Sequence, residues 1–300
     1  MVSQPIRRTL RLTACGIAMA LAACTASTAQ APTEAKPALW KLADADTTIY
    51  LFGTIHLLPE GLKWRTPALE KAIKASDTLV MEIVQDDPMA SAQTMMKLAL
   101  SPGLPPLAER VPPEKREALA EAMTRIGIPA GALDKMETWA AALAILSGSF
   151  KDLGLDPKLG AEESLQAAYK ADGKKLDALE TVEQQLGFFD TLSEDAQRLI
   201  LMSTLDDPAA AKAQFQAMLD AWARGDVDAI ARTFDDETAL SPELRDVLMK
   251  RRNAKWAEWL DARLDQPGTV MVAVGAGHLA GADSVQKMLE AKGLKAVRVQ

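Results

Sequence analysis

Two short motifs carry the only two histidines of this 300-residue chain. His56 closes a Gly-x-x-His motif that begins at Gly53, and His278 closes a second one that begins at Gly275. Each motif follows an apolar run typical of a buried strand. Glycine there permits a tight or left-handed turn and lets a ligand approach the backbone. We predict that both histidines project from the carboxyl edge of a sheet, where ligands bind in α/β proteins.

Two glutamates lie, like the two histidines, at or just after the end of a predicted strand. Glu82 interrupts the apolar run 79–84, and Glu180 follows the short apolar segment 176–179. A buried carboxylate is costly unless it is paired or bound to a metal. A buried ion pair would also explain Glu82, and a favourable charge at a helix start would explain Glu180. If these strands are parallel neighbours, two histidines and two glutamates meet in one cleft.

This combination of side chains indicates a divalent transition metal, namely Mn, Co, Fe or Zn. His56, His278 and Glu82 are the predicted metal ligands. The metal would polarise a carbonyl and lower the pKa of bound water, and a glutamate, Glu82 or Glu180, would act as general base. Without a metal, the same catalytic candidates could carry out acid–base chemistry directly.

An arginine lies on an apolar helix face. Leu248 and Trp256 recur in steps of four residues along 242–263, and Arg252 falls between them, next to Asn253. An inward guanidinium needs carboxylates or an anionic ligand. Two interpretations remain open: Arg252 and Asn253 bind substrate, or Arg252 forms a salt bridge with one of the two glutamates.

The order of elements predicts how these residues are positioned. Strand patterns occur near both ends of the chain, and a mainly helical middle spans about residues 88–265. We predict an α/β fold: one domain with a central, mostly parallel sheet formed from both ends of the chain and a large helical insertion as a cap. The predicted strands are 39–42, 49–52, 79–84, 176–179, 269–274 and 296–299.

The first residues resemble an export signal. Three arginines precede a short apolar stretch that ends in Leu-Ala-Ala-Cys at Cys24, which resembles a bacterial lipobox. We predict a lipoprotein signal peptide over 1–23, an acylated Cys24, a flexible tether over 24–38 and a domain over 39–300. An ordinary signal peptide cleaved near Ala29 is the alternative. Thr25, rather than aspartate, after Cys24 favours the outer membrane in a Gram-negative cell.

The net charge and the cysteine content of the chain limit which partners and which crosslinks can be expected. The net charge is −7, and loss of the three signal-peptide arginines would bring it to −10. Such an acidic chain argues against nucleic acid as a partner. Because Cys15 would leave with the signal, no intramolecular disulfide is possible in the mature chain. The expected partners are the lipid bilayer, through acylated Cys24, and a peptide or other small envelope substrate.

Four segments spanning the predicted domain resemble the TraB/GumN family. They are Leu51–His56, Leu179–Thr181 with Gln184–Gln185, Arg252–Asn253, and Val274–Gly281. This family is similar to the Tiki metalloproteases and, more distantly, to erythromycin-esterase-like and ChaN-like proteins. The resemblance implies an α/β fold and one site that uses both Gly-x-x-His motifs and an intervening glutamate. In the Tiki branch it also implies a Mn- or Co-dependent protease.

Three functions are compatible with these residues. The first is a metal-dependent hydrolase of the cell envelope that cleaves peptide bonds. The second is a metal-independent, esterase-like hydrolase with a histidine as general base. The third is a non-enzymatic protein that sequesters a peptide, a metal or haem. The chain contains no Gly-x-Ser-x-Gly, His-Glu-x-x-His or Walker motif that would favour another class of enzyme.

Overall fold

A six-stranded sheet lies at the centre of the computed structural model, which describes residues 34–152, 157–205, 207–238 and 241–300. The strands lie side by side in the order β4-β3-β5-β2-β1-β6. Their bounds are β1 (Leu39–Ala43), β2 (Thr47–Thr54), β3 (Thr78–Met81), β4 (Lys175–Ala178), β5 (Gly268–Gly275) and β6 (Val297–Arg298).

Strands from distant parts of the chain pair in parallel. β5 pairs with β2 on one side and with β3 on the other, and β3 pairs with β4. At the other end of the sheet, β1 runs antiparallel to both β2 and the edge strand β6. The prediction of a mostly parallel sheet built from both ends of the chain is therefore confirmed.

Strand β5 explains why the central strands are apolar throughout. Met271 and Ala273 pack into the hydrophobic core on one face of the sheet. Val270, Val272 and Val274 pack into a second core on the other face. A strand covered on both faces loses the alternation of polar and apolar residues, as parallel strands usually do. The same continuous apolar pattern over 269–274 predicts a strand that is buried on both faces.

Helices cover the sheet and form the insertion between β3 and β5. Short polar caps define several of their starts: Thr66 Oγ1 accepts from the Leu69 N–H, and Thr181 forms a capping box with Gln184. The helices are α1 (Pro67–Ala75), α2 (Pro88–Ala99), α3 (Arg116–Arg125), α4 (Thr138–Asp152), α5 (Ala161–Ala171), α6 (Val182–Asp190), α7 (Glu194–Ser203), α8 (Pro208–Ala223), α9 (Val227–Thr238), α10 (Pro242–Arg245), α11 (Arg251–Leu264) and α12 (Val285–Ala291).

Three boundaries differ from the predicted ones. β3 ends at Met81, so Glu82 lies just beyond the strand rather than inside it. The helix predicted over 242–263 is interrupted by a π-helical turn over 246–250, between α10 and α11. The sequence also predicts a helix over 282–291, but α12 begins at Val285, because Gly281 adopts a left-handed conformation with φ of 79° and Ser284 is the helix N-cap.

The domain begins earlier than predicted. Residues 34–38, assigned to the tether, are held by backbone hydrogen bonds: Ala35 N–H donates to Lys63 O and Lys36 N–H donates to Ala223 O. Ala35 and Ala38 are buried. The predicted signal peptide (1–23) and Cys24 lie outside the described residues. Within the described part of the chain, no helix has the length and apolarity needed to cross a membrane.

Candidate functional site

The parallel strands bring the predicted residues to one edge of the sheet. Glu82 directly follows β3, and Glu180 lies two residues beyond β4. Backbone pairing continues past these strands, since the Glu180 N–H donates to the Glu82 carbonyl at 2.9 Å. His56 lies two residues beyond β2, and His278 lies in a 3₁₀ turn directly after β5. All four residues follow carboxyl ends of neighbouring strands, as the sequence predicted.

Arg252 lies at the centre of this group and is buried. Its Nε donates to Glu180 Oε1 at 2.8 Å, and its Nη2 donates to Glu180 Oε2 at 2.8 Å and to Glu82 Oε2 at 2.6 Å. Its Nη1 faces the Leu248 carbonyl and His278 Nε2, both at 3.2 Å. A guanidinium has five N–H donors. All five have an acceptor here, which favours the salt-bridge interpretation over direct substrate binding.

Two aromatic rings and the surrounding charges hold the guanidinium of Arg252 in place. Its Cζ lies 4.8 Å from the Trp256 ring centroid and 5.4 Å from that of Phe188. Burial alone would lower the pKa of Arg252, but its hydrogen bonds to Glu180 and the charge of Glu82 outweigh burial and raise the pKa. Arg252 is therefore a permanent cation between two carboxylates.

Glu82 remains ionised despite its burial. Its Oε1 accepts from the Gly275 N–H at 2.8 Å, and its Oε2 accepts from Gln185 Nε2 at 3.1 Å as well as from Arg252. Burial alone would raise the pKa of Glu82. The charge of Arg252, the Gly275 N–H and, in acid, the charge of protonated His278 together outweigh burial and lower the pKa to about 2. Glu82 is thus a carboxylate at neutral pH.

His278 is buried and neutral. Burial is the largest influence and lowers the pKa of its imidazole to about 4, against the attraction of Glu82. Nδ1 lies 2.6 Å from Asn253 Oδ1, and Nε2 lies 3.8 Å from Glu82 Oε1. The ring packs against Trp256, with 4.4 Å between the ring centroids. The predicted substrate-binding residue Asn253 is 1% exposed and contacts His278.

His56 occupies a different part of the same edge. Its side chain is 75% exposed, and its Nδ1 lies 2.8 Å from Glu162 Oε1. This hydrogen bond to Glu162 is the main reason why the pKa of His56 is raised to about 9. Burial alone would raise the pKa of Glu162, but the hydrogen bond from His56 outweighs burial and lowers it. The two side chains form an ion pair at neutral pH.

A cleft of about 460 Å³ joins His56 to the buried group. Carboxylates and amides dominate its polar lining, and His56 is the only basic side chain among the described residues that line it. The lining residues are His56, Met81, Glu82, Ile83, Gln85, Glu162, Glu163, Gln166, Gln185 and Ala273. The cleft is therefore suited to neutral or cationic groups rather than to anions.

Sequence reasoning missed Glu162. It lies in the first turn of α5 beside Glu163, where acidic residues are common because they favour the helix dipole. The backbone decides its role, because the Ala161 N–H donates to the Ile55 carbonyl at 3.0 Å and holds the start of α5 beside His56. No local signal distinguishes Glu162 from Glu163, so only the tertiary contact could identify it.

The two motif glycines are required for space. Neither Gly53 nor Gly275 adopts a left-handed conformation, so that alternative is wrong, whereas Gly275 does lead directly into a tight 3₁₀ turn. A Cβ on Gly53 would lie 3.0 Å from the Cα of Ala276, which belongs to the second motif. A Cβ on Gly275 would lie 3.2 Å from Glu82 Oε1. The glycines thus allow the two motifs and Glu82 to pack closely.

The donor atoms fit a divalent metal in type, and two of them fit in spacing. Ligands lie about 2 Å from such an ion, so two ligand atoms are at most about 4 Å apart. His278 Nε2 and Glu82 Oε1 meet this limit at 3.8 Å. Within the described residues, however, no three His, Cys, Asp or Glu side chains form a ligand group. His56 would have to approach this pair to complete such a group.

Comparison with known proteins agrees with this fold and these motifs. Residues 38–298 match the TraB/PrgY/gumN family, and the chain belongs to that family. It is similar to the uncharacterized protein YbaP of Escherichia coli strain K12, with 28% identity over 243 residues, which cover 80% of this chain and 87% of YbaP. YbaP of Shigella flexneri matches with the same identity and coverage. No solved structure gives a significant match.

Proposed function

We propose that this protein is a metal-dependent hydrolase of the cell envelope that cleaves peptide bonds. One observation carries the proposal: both histidines are anchored through Nδ1, His56 by Glu162 at 2.8 Å and His278 by Asn253 at 2.6 Å. Metal-binding histidines are commonly held in this way, with the second ring nitrogen left for the metal. His56, His278 and Glu82 are the proposed ligands.

The charges around the cleft support a bound cation. Three carboxylates lie around the site against two cations. Glu82 and Glu180 share Arg252, and Glu162 pairs with the protonated His56. A divalent Mn, Co, Fe or Zn ion would balance this excess of negative charge. When bound, it would polarise a substrate carbonyl and activate water. Arg252 would have to release its contact with His278 Nε2 for that nitrogen to act as a ligand.

The side chains of the protein itself carry the remaining chemistry. Arg252 holds Glu82 and Glu180 in fixed orientations, so Glu82 presents an ionised oxygen at the cleft. Because the pKa of His56 is raised to about 9 without a metal, His56 would have to release a proton before its Nε2 could act as a ligand. A metal-bound His56 would then position the metal and would not be the proton donor. Glu162 would hold the ring of His56 through Nδ1 when Nε2 faces the metal.

Metal analysis tests the proposal directly. The purified protein should contain a divalent metal in stoichiometric amount, as measured by elemental mass spectrometry. His56→Ala and His278→Ala should both lose it. Glu163→Gln is the matched control, since it removes a carboxylate from the same cleft without removing a proposed ligand, and it should retain the metal. Equal metal content in the wild type and in the double histidine variant would contradict the proposal.

A second candidate is a metal-independent hydrolase. The His56–Glu162 pair favours it, because a carboxylate-oriented histidine at a cleft is an acid–base catalyst in its own right. Peptide and ester hydrolysis, followed by mass spectrometry, would separate the two candidates. Activity that survives a chelator but disappears in His56→Ala selects the metal-independent enzyme. Tight stoichiometric binding of a peptide or haem without turnover selects a binding protein.

The envelope location is proposed from Cys24. An acylated Cys24 would hold the domain on the periplasmic side, in the outer membrane of a Gram-negative cell. Metabolic labelling with a fatty acid should mark the wild type and not Cys24→Ala, and the variant should leave the membrane fraction. Equal labelling of both proteins would contradict lipidation at this residue.

A further inference from the structure

The only asparagine in the chain contacts one of its two histidines. Asn253, near the start of α11, is 1% exposed, and His278, in the 3₁₀ turn after β5, is 6% exposed. Asn253 does not line the cleft, so it is not placed to contact substrate. Its side chain bridges α11 and the turn that carries the second Gly-x-x-His motif.

Two backbone carbonyls determine which way the Asn253 amide faces. Nδ2 donates to the Asp283 carbonyl at 2.8 Å and lies 3.5 Å from the His278 carbonyl. Carbonyl oxygens only accept hydrogen bonds, so the opposite orientation would place the amide oxygen against two other oxygens. The Asn253 oxygen must therefore face the imidazole ring.

This orientation determines where His278 carries its proton. Asn253 Oδ1 is an acceptor 2.6 Å from Nδ1, so Nδ1 must be the protonated nitrogen. The other nitrogen, Nε2, lies 3.2 Å from Arg252 Nη1, which can only donate. Both sides of the ring thus require the same tautomer, with the lone pair of Nε2 towards Arg252 and Glu82.

We propose that Asn253 is a positioning residue that holds His278 in the Nδ1–H tautomer and keeps Nε2 as a lone-pair donor atom at the site. This role deepens the proposed function, which uses the same Asn253 contact, and it holds whether Nε2 binds a metal or accepts a proton. The two neighbouring residues of α11 therefore act on opposite nitrogens of one imidazole: Arg252 at Nε2 and Asn253 at Nδ1.

Nuclear magnetic resonance of ¹⁵N-histidine-labelled full-length protein tests this role. Because the chain has two histidines, long-range ¹H–¹⁵N spectra show two ring patterns, and the pattern lost in His56→Ala belongs to His56. Wild-type His278 should show a protonated Nδ1 and a bare Nε2, with and without a chelator. An Nε2–H tautomer or an imidazolium in the wild type overturns the proposal, even if every variant fails to fold.

Variants separate positioning from packing. Asn253→Ala leaves Arg252 as the remaining constraint on the ring, so His278 should show a mixture of the Nδ1–H and Nε2–H tautomers. Asn253→Asp keeps an acceptor at Nδ1 but loses the donor to the Asp283 carbonyl, and it should keep Nδ1 protonated. Gln286→Ala is the matched control: Gln286 Nε2 donates to the Leu279 carbonyl of the same turn at 3.1 Å and has no hydrogen bond to the ring. A folded Asn253→Ala with an unchanged tautomer overturns the proposal. Metal content is measured separately, so a protein that binds the metal but shows no tautomer change in Asn253→Ala contradicts the role of Asn253 and leaves the proposed function standing.

Discussion

Replacing Arg252 by methionine should destabilise the domain strongly. Methionine is an unbranched apolar side chain that can fill part of the same volume between Phe188 and Trp256, so the main loss is charge and hydrogen bonding. Arg252 makes two contacts with Glu180 and one with Glu82, at 2.6–2.8 Å. Its removal leaves two buried carboxylates without their cation.

The size of the destabilisation follows from the unpaired charge that is left buried. Breaking a buried ion pair by removing one partner costs about 3–5 kcal/mol. Arg251, the preceding residue, provides a matched control, because it is 68% exposed and pairs with Asp246 on the surface. An exposed pair contributes about 0–1 kcal/mol. We expect Arg252→Met to lower the free energy of unfolding by about 3–5 kcal/mol, and Arg251→Met by less than about 1 kcal/mol.

The effect should also depend on pH in a defined direction. In the wild type, the pKa of Glu82 is lowered to about 2, so the stability contributed by the ionised group is present above its unfolded value of 4.5 and is lost as pH falls towards 2. Without Arg252, the buried carboxylates should take up protons on folding. Each such proton makes the variant more stable relative to the wild type by about 1.4 kcal/mol per pH unit as the pH is lowered.

Urea unfolding followed by tryptophan fluorescence measures both effects, at pH 7.5 and at pH 5.5. We expect the free energy of unfolding of Arg252→Met to lie far below that of the wild type at pH 7.5, and the difference to be smaller at pH 5.5. Equal destabilisation by the Arg251 and Arg252 substitutions, or a gap that does not change with pH, would refute the assignment of Arg252 as the cation of a buried carboxylate pair.

Three further predictions use the same unfolding assay or a titration. Gly53→Ala should lower the free energy of unfolding by about 1–3 kcal/mol, because its Cβ would press on Ala276. Gly187→Ala, in an open part of α6, should instead raise it by about 0.5–1 kcal/mol, and a loss there would contradict the packing argument. In an imidazole titration, Glu162→Gln should return the pKa of His56 from about 9 towards 6.5. Since that pKa is raised in the folded state, the stabilisation by Glu162 is complete below pH 6.5 and is lost as pH rises through about 9. An unchanged pKa of His56 in Glu162→Gln would exclude Glu162 as the cause of the raised value.

Much of the sheet could be predicted because its signals are local. The runs 269–274 and 49–52 are apolar for as long as a strand is buried on both faces, and β5 and β2 lie there. Boundaries were less accurate where a single residue decides the geometry. The π-helical turn before α11 and the left-handed Gly281 have no reliable local pattern, so the predicted helices were too long at these points.

The composition of the site was predicted in part, and the pairing within it was not. The histidines could be identified because the chain has only two and each closes a Gly-x-x-His motif. Glu82 and Arg252 could be identified because each places a charge within an apolar pattern. Glu162 has the same local context as Glu163 and was missed. The substrate-binding alternative for Arg252 also stayed open in the sequence, because an inward guanidinium has the same pattern whether its partner is a ligand or a protein carboxylate.

The sequence by itself determined the element types, the parallel strands and the strand ends that carry the chemical groups, because burial and periodicity act between near neighbours in the chain. Tertiary structure alone decided that Arg252 pairs with both glutamates, that Asn253 faces His278 and that Glu162 faces His56. These contacts join residues between 25 and 170 positions apart, and hydrogen bonding depends on the placement and direction of single atoms. Such distances and directions are set only when the sheet edge, α5 and α11 come together.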